Sequence, residues 1–538
     1  MSVSPHRPNA PEAEGTHPAS LILVPSNPHS VSVSSAPSPS EGQDPADLWI
    51  TDDLLFNYQR CRRRSYLDAY GDKQHCASPS DYLVKLRQDS LAHQMKVFSE
   101  SPAHRPEYPR ADWVAGARAT QELMEQGVDR IVKGVLHVQL ENGIHLVSCP
   151  DLLIKQPGYS LFGDWLYTPM DIRLGKRPKI DYQVAAAFHA YVLADVQGAW
   201  SETSWLILRQ RGAYAVNLVD MLPRMQDILQ DCIDTLRQDE APEVFIAHNR
   251  CDLCQWLGHC YGIAQAEQHL SLLPGVTPSR YTYLKELGLL TLEDLANANP
   301  KLLESLPGFG WQVTHRLIRQ AQATLHNQAL PDIIFSDQLF SDRSLEPLLS
   351  TEELPTAPVE LYFDIEAAPE QNLVYLHGVL VVDRQANTET FHPLLAETQA
   401  EEQMIWEQLL ELLWQYPTAP IFHFCPYEVQ TVKRLAEQYN TSLHLVEPLL
   451  DRFVDVHERV TRVAILPVES YALKPIARWV GFDWRNPEAN GAQSICWYAQ
   501  WVGTGDRSHL EAILHYNEDD CRATYWVKNW LTKFCQGA

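Results

Sequence analysis

The hydrophobic pattern of the chain changes near Trp49. Residues 1–46 are rich in Ser, Pro, Ala, Asn and His and show no hydrophobic period. Such a composition buries too little apolar surface to offset the entropy of ordering, so we predict a disordered tail. From Trp49 onward, apolar residues recur at helical spacing behind an Asp at the cap position, which predicts a helix that continues through Cys61. Apolar segments at 134–140 and 143–147 flank Glu-Asn-Gly and predict a β-hairpin.

The rest of the pattern divides the chain into domains. Residues 265–325 are predicted as short helices broken by Leu-Pro-Gly-Val (273–276) and Leu-Pro-Gly-Phe-Gly (306–310), a near-repeat of one turn chemistry. A second α/β region begins with a strand at 359–366 and ends in a helix around 510–534. We therefore expect a tail (1–46), an α/β domain (47–264), a helical connector (265–330), a linker (331–356) and a second α/β domain (357–538).

Length and charge narrow the choice of function. The 538 residues are too many for one core, because cores stop growing near about 250–300 residues. A net charge of -25 argues against a protein that coats nucleic acid by overall charge, although the carboxylates of a metal-dependent nuclease remain compatible with it. Two local basic clusters are suited to hold phosphates: Arg60, Arg62, Arg63 and Arg64, and Arg173, Lys176, Arg177 and Lys179.

The sequence offers no membrane or secretion signal. No apolar run approaches the roughly 20 residues of a spanning helix, and the N-terminus lacks a basic segment followed by an apolar one. Eleven cysteines in a long chain without a signal peptide are typical of reduced thiols rather than of a disulfide framework. We expect a cytoplasmic protein that does not act on membranes.

Four of the cysteines form a metal-binding pattern. Cys251, Cys254 and Cys260 follow C-x2-C-x5-C spacing, and Cys61 lies far upstream. Four thiolates suit zinc or an iron–sulfur cluster, and such a site would join the two ends of the first domain. The arrangement resembles that of 4Fe-4S nucleases, which include AddB-type and CRISPR-associated RecB-type enzymes. That resemblance implies a 4Fe-4S cluster, with zinc as the alternative.

A first set of acidic residues lies in the first domain. Asp151 follows an apolar strand, Asp171 lies at the end of another, His93 precedes them in a helix, and a helix over 183–191 follows. This order resembles the RecB-like nucleases of the PD-(D/E)XK class, which implies a restriction-endonuclease-like fold with His93, Asp151 and Asp171 as metal ligands. Arg173 stands where the class has lysine and cannot lose its proton, but it can orient or stabilise charge.

Arg173 leaves two interpretations of the first domain open. Lys176, three residues further on, is placed to take over the role of the missing lysine. The domain is then either a working nuclease or a degenerate version that only binds DNA.

The connector has the turn chemistry of a phosphate-binding element. Gly308 and Gly310 permit a tight turn before a helix that starts near Gln312, and turns of this kind present backbone N–H groups to phosphates. Together with the sequence Thr-Leu-Glu-Asp-Leu (291–295), the segment resembles a tandem helix-hairpin-helix unit. That resemblance implies backbone contact without base specificity. A helical spacer that touches no nucleic acid is the alternative.

A second set of acidic residues lies in the last domain. Asp364 and Glu366 alternate on one strand and so point to the same face. The order of Asp-x-Glu, then Glu428 after a strand at 421–424, then Tyr516-x3-Asp520 resembles the DEDD exonucleases, which have an RNase H-like fold. The resemblance implies Mg²⁺ or Mn²⁺ held by Asp364, Glu366, Glu428 and Asp520, and water oriented by Tyr516. His515 fits a variant of the same motif.

The order of domains as a whole resembles RecB-like nucleases with a C-terminal RNase H-like domain. The implied fold class is α/β, with the two nuclease-like domains joined by an all-α helix-hairpin-helix element. The implied activity is metal-dependent cleavage of DNA or RNA, 3′-to-5′ on single-stranded or frayed DNA, in repair or processing. No Gly-x4-Gly-Lys-(Ser/Thr) loop occurs, so the chain is not itself a helicase. The alternative is a catalytically weak, nucleic-acid-binding adaptor of a helicase or repair complex.

Overall fold

The computed structural model describes residues 47–210, 212–332 and 348–537. The predicted disordered tail and most of the predicted linker lie outside the described residues. The described parts form an N-terminal α/β unit, a group of short helices and a C-terminal α/β unit. No helix among these residues is long and apolar enough to cross a bilayer.

The N-terminal unit is built on two sheets. A five-stranded mixed sheet has the order β2-β5-β6-β7-β8, in which only β6 and β7 run parallel, and a three-stranded sheet has the order β1-β4-β3. The strands are β1 (Leu48–Thr51), β2 (Arg130–Val132), β3 (Leu136–Leu140), β4 (Ile144–Ser148), β5 (Leu152–Ser160), β6 (Gly163–Arg173), β7 (Ser204–Leu208) and β8 (Gly212–Val216). The helices are α1 (Asp52–Arg60), α2 (Arg62–Tyr70), α3 (Asp81–Phe98), α4 (Trp113–Glu125), α5 (Ile180–Gln197), α6 (Leu218–Leu236), α7 (His248–Cys251) and α8 (Leu257–Ala266).

Helix α5 forms the centre of this unit. Ala186, Ala187 and Phe188 are fully buried, and the helix packs against β6, β7 and α6. Small residues on α5 let the backbone approach the sheet closely, so that the remaining large side chains close the core. The predicted hairpin is confirmed, because β3 and β4 pair antiparallel.

The predicted continuous helix through Cys61 is wrong. The segment begins as strand β1, and Thr51 rather than an Asp caps α1 by accepting a hydrogen bond from the N–H of Leu54 at 3.1 Å. Cys61 has an extended backbone and ends α1, and its Sγ accepts a hydrogen bond from the N–H of Arg64 at 3.4 Å. Cys61 thereby caps α2, and a thiol in the cap position separates two short helices instead of lying inside one.

The connector contains helices packed over two similar turns. They are α9 (Pro278–Glu286), α10 (Leu292–Ala296), α11 (Pro300–Glu304) and α12 (Gly310–His326). Gly275, Gly308 and Gly310 have positive φ angles of 90°, 80° and 63°, which few other residues adopt. Arg280 donates to the carbonyl of Gly275 at 2.7 Å and to that of Gly308 at 3.0 Å, so one side chain ties the two turns together.

The C-terminal unit is a five-stranded sheet flanked by helices. Its order is β12-β11-β10-β13-β14, in which β12, β11 and β10 are antiparallel and β10, β13 and β14 are parallel. The strands, with the short β9 that precedes them, are β9 (Leu330–Pro331), β10 (Val359–Ala368), β11 (Leu373–Asp383), β12 (Thr388–Leu395), β13 (Ile421–His423), β14 (Phe453–Asp455) and β15 (Ala464–Ile465). The helices are α13 (Glu402–Gln415), α14 (Tyr427–Gln438), α15 (Leu443–Leu450), α16 (Val456–Val463), α17 (Leu473–Trp479), α18 (Gly491–Thr504) and α19 (Arg507–Gly537).

The C-terminal unit contacts both other parts of the molecule. On the connector side, β9 pairs with β15, and the amide of Gln320 donates to the carbonyl of Leu466 at 2.5 Å. On the other side, α3 of the N-terminal unit packs against α18, where the amide of Gln493 donates to Asp81 at 3.1 Å. Helix α3 therefore bridges the two α/β units.

Candidate metal and nucleic-acid sites

Three carboxylates meet at the centre of the C-terminal sheet. Asp364 and Glu366 lie two residues apart on β10, the middle strand, and Asp520 approaches them from α19, which packs on that strand. Donor atoms of the three all lie within 4.8 Å of one another, and no other three Asp, Glu, His or Cys residues in the described ranges do so. We call this group the C-terminal acidic site.

Each of these carboxylates is held by a neutral donor. Asn517 donates to Asp364 at 2.6 Å, Ser494 to Glu366 at 2.7 Å, and the indole of Trp484 to Asp520 at 2.7 Å. The residue opposite Asp364 on β11 is Gly378, which has no side chain and so leaves room for Asn517. A Cβ at Gly378 would lie only 1.7 Å from the side-chain oxygen of Asn517. Neutral donors fix the orientation of the carboxylates but do not neutralise their charge.

The pKa values reflect this crowding of negative charge. Burial raises the pKa of Asp520 to about 7 and that of Glu366 to about 8, and Asp520 adds to the effect on Glu366. Burial, Asp520 and Glu366 raise the pKa of Asp364 well above its usual value. Without a cation the group therefore retains protons near neutral pH, and a divalent ion that binds oxygen would replace them.

The other predicted residues of this domain surround the acidic site. Tyr516 is half-buried one turn before Asp520, and burial and the Asp520 carboxylate raise its pKa well above the usual value. His515 is exposed, and its carbonyl accepts a hydrogen bond from Arg485. Both lie within α19, in the part of the chain where a helix was predicted around 510–534.

Glu428 lies beside the C-terminal acidic site at the start of α14. It is buried, and burial raises its pKa. Its Oε2 lies 3.4 Å from Nδ1 of His423, and its charge contributes to the raised pKa of Asp364. It does not belong to the group within 4.8 Å. Glu428 is therefore a charged neighbour of the three carboxylates and not a member of their group.

The predicted acidic residues of the N-terminal unit are close together but paired with cations. Asp151 forms an ion pair with Lys133 and accepts from Gln94 at 3.0 Å and from the N–H of Ile172 at 2.7 Å. Asp171 is paired with Arg173 at 2.6 Å and with His189 at 3.1 Å. We call these two acids with Lys133, Arg173 and His189 the N-terminal acidic site.

Pairing dominates the electrostatics of the N-terminal acidic site. Burial acts to raise the pKa of Asp171, but Arg173 and His189 hold it well below its usual range. Burial acts to lower the pKa of Lys133, but Asp151 raises it above its usual value. The carboxylates of the N-terminal acidic site are thus held in ion pairs, whereas those of the C-terminal acidic site have raised pKa values and no paired cation among the described residues.

Two predicted residues lie apart from this network. His93 on α3 has its Nε2 buried without a hydrogen-bond partner, and burial and the nearby Arg209 lower its pKa. Lys176 is exposed in the segment after β6. Lys133, which no motif in the sequence marks, lies beside Asp151 in the role that we had considered for Lys176.

The four predicted cysteine ligands converge. Cys61, Cys251, Cys254 and Cys260 line one cavity between α1, α2, α7 and α8, and we call them the cysteine quartet. Burial raises the pKa of Cys251, Cys254 and Cys260, and the charges of neighbouring quartet members add to this effect. No three of these sulfur atoms lie within 4.8 Å of one another. The four sulfur atoms thus line a cavity and do not converge on a single point.

Several residues of the acidic sites escaped sequence reasoning. Asn517, Ser494 and Trp484 orient the C-terminal carboxylates, and Lys133 pairs with Asp151. Asn517 had a local signal, because it follows Tyr516 within the Asp-rich run of the motif. The other three lie on separate elements, and nothing in their surrounding sequence marks them.

Comparisons with known proteins concern parts of the chain. A stretch of 104 residues is 36% identical to DNA polymerase IV from Caulobacter vibrioides, and it covers 18% of this chain and 26% of the polymerase. The chain thus spans about a quarter of that relative, too little to transfer its activity. Residues 361–532 match the family model of the RNase H superfamily, which confirms the fold predicted for this part of the chain. The C-terminal domain is therefore an RNase H-like domain of the kind that cleaves nucleic acid.

Proposed function

We propose that the protein is a divalent-metal-dependent nuclease whose C-terminal domain degrades single-stranded or frayed DNA in the 3′-to-5′ direction. The observation that carries this proposal is the convergence of Asp364, Glu366 and Asp520 in an RNase H-like domain, with no cation paired to them among the described residues. RNA is the alternative substrate. The polarity and the preference for DNA rest on the resemblance to DEDD exonucleases.

The residues of the C-terminal acidic site have distinct roles in this proposal. Asp364, Glu366 and Asp520 would hold Mg²⁺ or Mn²⁺, and Glu428 would be a ligand of a second metal ion. Bound ions of this type activate water and stabilise the departing oxygen of a phosphodiester. The Tyr516 hydroxyl, next to Asp520, would orient the attacking water, while Asn517, Ser494 and Trp484 keep the carboxylates aligned.

The direct test is cleavage of single strands that carry a label at one end. With Mg²⁺ or Mn²⁺ we expect a 3′ label to be released at once as a mononucleotide, and a 5′-labelled strand to shorten gradually. Chelation should stop both reactions. Earlier release of the 5′ label would reverse the polarity. If neither DNA nor RNA is cut with any divalent metal, the alternative remains: a nucleic-acid-binding adaptor of a helicase or repair complex.

For the N-terminal unit we propose a PD-(D/E)XK-like nuclease domain over 47–264. Its support is the placement of Asp151 at the start of β5 and Asp171 at the end of the paired strand β6. In this proposal Asp151, Asp171 and His93 hold the metal. Arg173 is committed to Asp171, so Lys133 provides the positive charge near the attacking water. The degenerate, binding-only domain is the alternative.

Lys133→Ala should reduce cleavage of circular single-stranded DNA by about a hundredfold, the usual effect of losing one charge-stabilising donor. A circle has no end, so it does not report exonuclease activity. The measurement is made with Asp520→Asn present in every sample. Lys155→Ala is the matched control, because Lys155 lies on the neighbouring strand β5 and donates to the carbonyl of Gly127 instead. Equal cleavage by the Lys133 and Lys155 variants would contradict the proposed role of Lys133. If no sample cuts the circular DNA, the binding-only domain is favoured.

For the cysteine quartet we propose a 4Fe-4S cluster. Four thiolates around one zinc ion, each about 2.3 Å from the metal, lie about 3.8 Å apart. The quartet is more widely spaced than this, which suits a cluster of several iron atoms. Zinc is the alternative. The free cysteines of the described chain fit a reducing compartment, and we place the protein in the cytoplasm.

For the connector (265–330) we propose a helix-hairpin-helix element that binds the nucleic-acid backbone. Gly308 and Gly310 have the positive φ angles that such a turn needs, and nothing lies within 4 Å of a Cβ built at either position. The surface above the turn is therefore open to a phosphate. A DNA repair or processing pathway with a helicase partner is part of the same proposal.

A further inference from the structure

We propose that a basic groove in the N-terminal unit binds the sugar–phosphate backbone of a single nucleic-acid strand. This inference rests on the proposed action on nucleic acid and specifies where a strand is held. The groove has a volume of about 870 Å³. The basic groove is defined by its cationic lining residues, Arg60, Arg62, Arg63, Lys179, Arg224 and Arg250.

The fold brings these cations together from distant parts of the chain. The two basic clusters of the sequence, around Arg62 and around Lys179, are about 120 residues apart, yet both contribute to the same groove. Arg224 on α6 and Arg250 on α7 add to them. In a chain with a net charge of -25, six cations around one recess are a local reversal of charge. Such a reversal attracts a polyanion.

Four of these six cations have no carboxylate partner among the described residues. Of the acids that line the groove, Asp181 lies 3.6 Å from Arg60 and Asp231 lies 2.5 Å from Arg62. The third, Glu243, is paired with Lys285 at 2.6 Å, outside the groove lining. Within the described residues, Arg63 forms no ion pair either but donates to the carbonyl of Pro242 at 2.5 Å, which leaves Lys179, Arg224 and Arg250 unpaired. Three unpaired cations that face one recess are available to phosphate oxygens.

The shape and lining of the groove favour a single strand over other ligands. Segments around α1, α2, α5, α6 and α7 line it, and a flexible single strand can follow such a recess more readily than a rigid duplex. Apolar surface is present as well: Ile180, 43% exposed, and Phe245 line the groove and offer contacts to bases. A small apolar ligand would leave the cations of this groove without partners, whereas the phosphates of a strand would pair with them.

The groove lies near the N-terminal acidic site, to which the side chain of Phe56 connects it. The ring of Phe56 lies between two guanidinium groups, with Arg60 of the groove 5.0 Å and Arg173 of the acidic site 5.4 Å from its centroid. The side chains of Arg173 and Phe56 thus connect Asp171 to Arg60 of the groove. A strand held by the basic groove passes close to the acids proposed to cut it.

The test measures binding separately from cleavage. Fluorescence anisotropy with a labelled single-stranded oligonucleotide is recorded in chelator, on full-length protein that carries Asp520→Asn. The triple variant Lys179→Ala/Arg224→Ala/Arg250→Ala should bind about tenfold or more weakly at low salt. The slope of log affinity against log salt should fall by about 2, because each phosphate contact in a single strand contributes about 0.7. The control is Arg118→Ala/Arg237→Ala/Lys433→Ala, which removes three exposed cations elsewhere and should change neither quantity.

A second variant tests whether the triple variant binds weakly only because the change at Arg250, next to Cys251, disturbs folding. Lys179→Ala/Arg224→Ala leaves the quartet untouched and should lower the slope by about 1.4. Unchanged affinity and slope in both groove variants would overturn the proposal, even if the protein cuts DNA as proposed. Duplex DNA that binds as tightly as a single strand and is equally weakened would also overturn it. Weakened single-strand binding by a protein that never cuts would uphold the groove and refute the nuclease.

Discussion

Asp520→Asn should reduce 3′-end release by about a thousandfold or more. Removal of one ligand from a metal centre costs about 4 kcal/mol or more of transition-state stabilisation, and each roughly 1.4 kcal/mol is tenfold in rate. Asp520 is one of the three carboxylates whose donor atoms lie within 4.8 Å. Asparagine has nearly the same shape but offers a neutral oxygen, so the fold should persist while metal affinity falls.

The matched control for this variant is Asp519→Asn. Asp519 is the preceding residue of α19 and is equally buried, but it points to Arg485, which it contacts at 2.8 Å. This variant should retain cleavage within about tenfold of wild type, because it loses an ion pair and no metal ligand. If Asp519→Asn abolished cleavage and Asp520→Asn did not, the assignment of α19 residues to the metal site would be wrong.

Thermal melting separates two effects of Asp520→Asn, the removal of a buried ionisable group and the loss of metal binding. Burial raises the pKa of Asp520 from 3.8 to about 7, so metal-free protein loses the corresponding stability as the pH rises from about 4 to about 7. At pH 8 the Asn variant should therefore melt no lower than metal-free wild type. Mn²⁺ should raise the melting temperature of wild type and leave that of the variant nearly unchanged.

Cys254→Ala should eliminate the broad absorption near about 400 nm that thiolate-bound iron gives to anaerobically purified protein. The N-terminal unit should also become less stable, because the cysteine quartet joins α1 and α2 to α7 and α8. A loss of about 3 kcal/mol would lower the melting temperature of a domain of this size by about 6–12 °C.

Cys76→Ala is the matched control for the quartet. Cys76 is half-buried, as Cys254 is, but it does not line the quartet cavity. Iron content, colour and melting temperature should be unchanged in this variant. A colourless wild-type protein with one equivalent of zinc would contradict the iron–sulfur assignment and retain the four-ligand site. Equal melting of both variants without bound metal would remove the site altogether.

Sequence reasoning located residues whose geometry depends on local regularity. Asp364 and Glu366 share a face because the side chains of a strand alternate, and Asp520 was located by the resemblance of Tyr516-x3-Asp520 to the DEDD motif. The four cysteines were found from their spacing and lie around one cavity. Such signals are local, and the fold only has to bring the segments together.

What sequence reasoning could not find depends on tertiary contact. Lys133 reaches Asp151 because the backbone at Lys133 adopts a positive φ of 52° after the short strand β2, and no propensity rule predicts that. The break at Cys61 was missed because a thiol is an uncommon helix cap. The oddity of Arg173 was visible in the sequence, but its pairing with Asp171 and its position over the ring of Phe56 were not.

The bridge formed by α3 connects the surroundings of the two acidic sites. Gln94 contacts Asp151 at one end of this helix, and Asp81 contacts Gln493 at the other, next to the Ser494 that holds Glu366. Thirteen residues of α-helix span roughly 20 Å at 1.5 Å per residue. Helix α3 therefore acts as a fixed spacer between the residue that contacts Asp151 and the segment that orients Glu366.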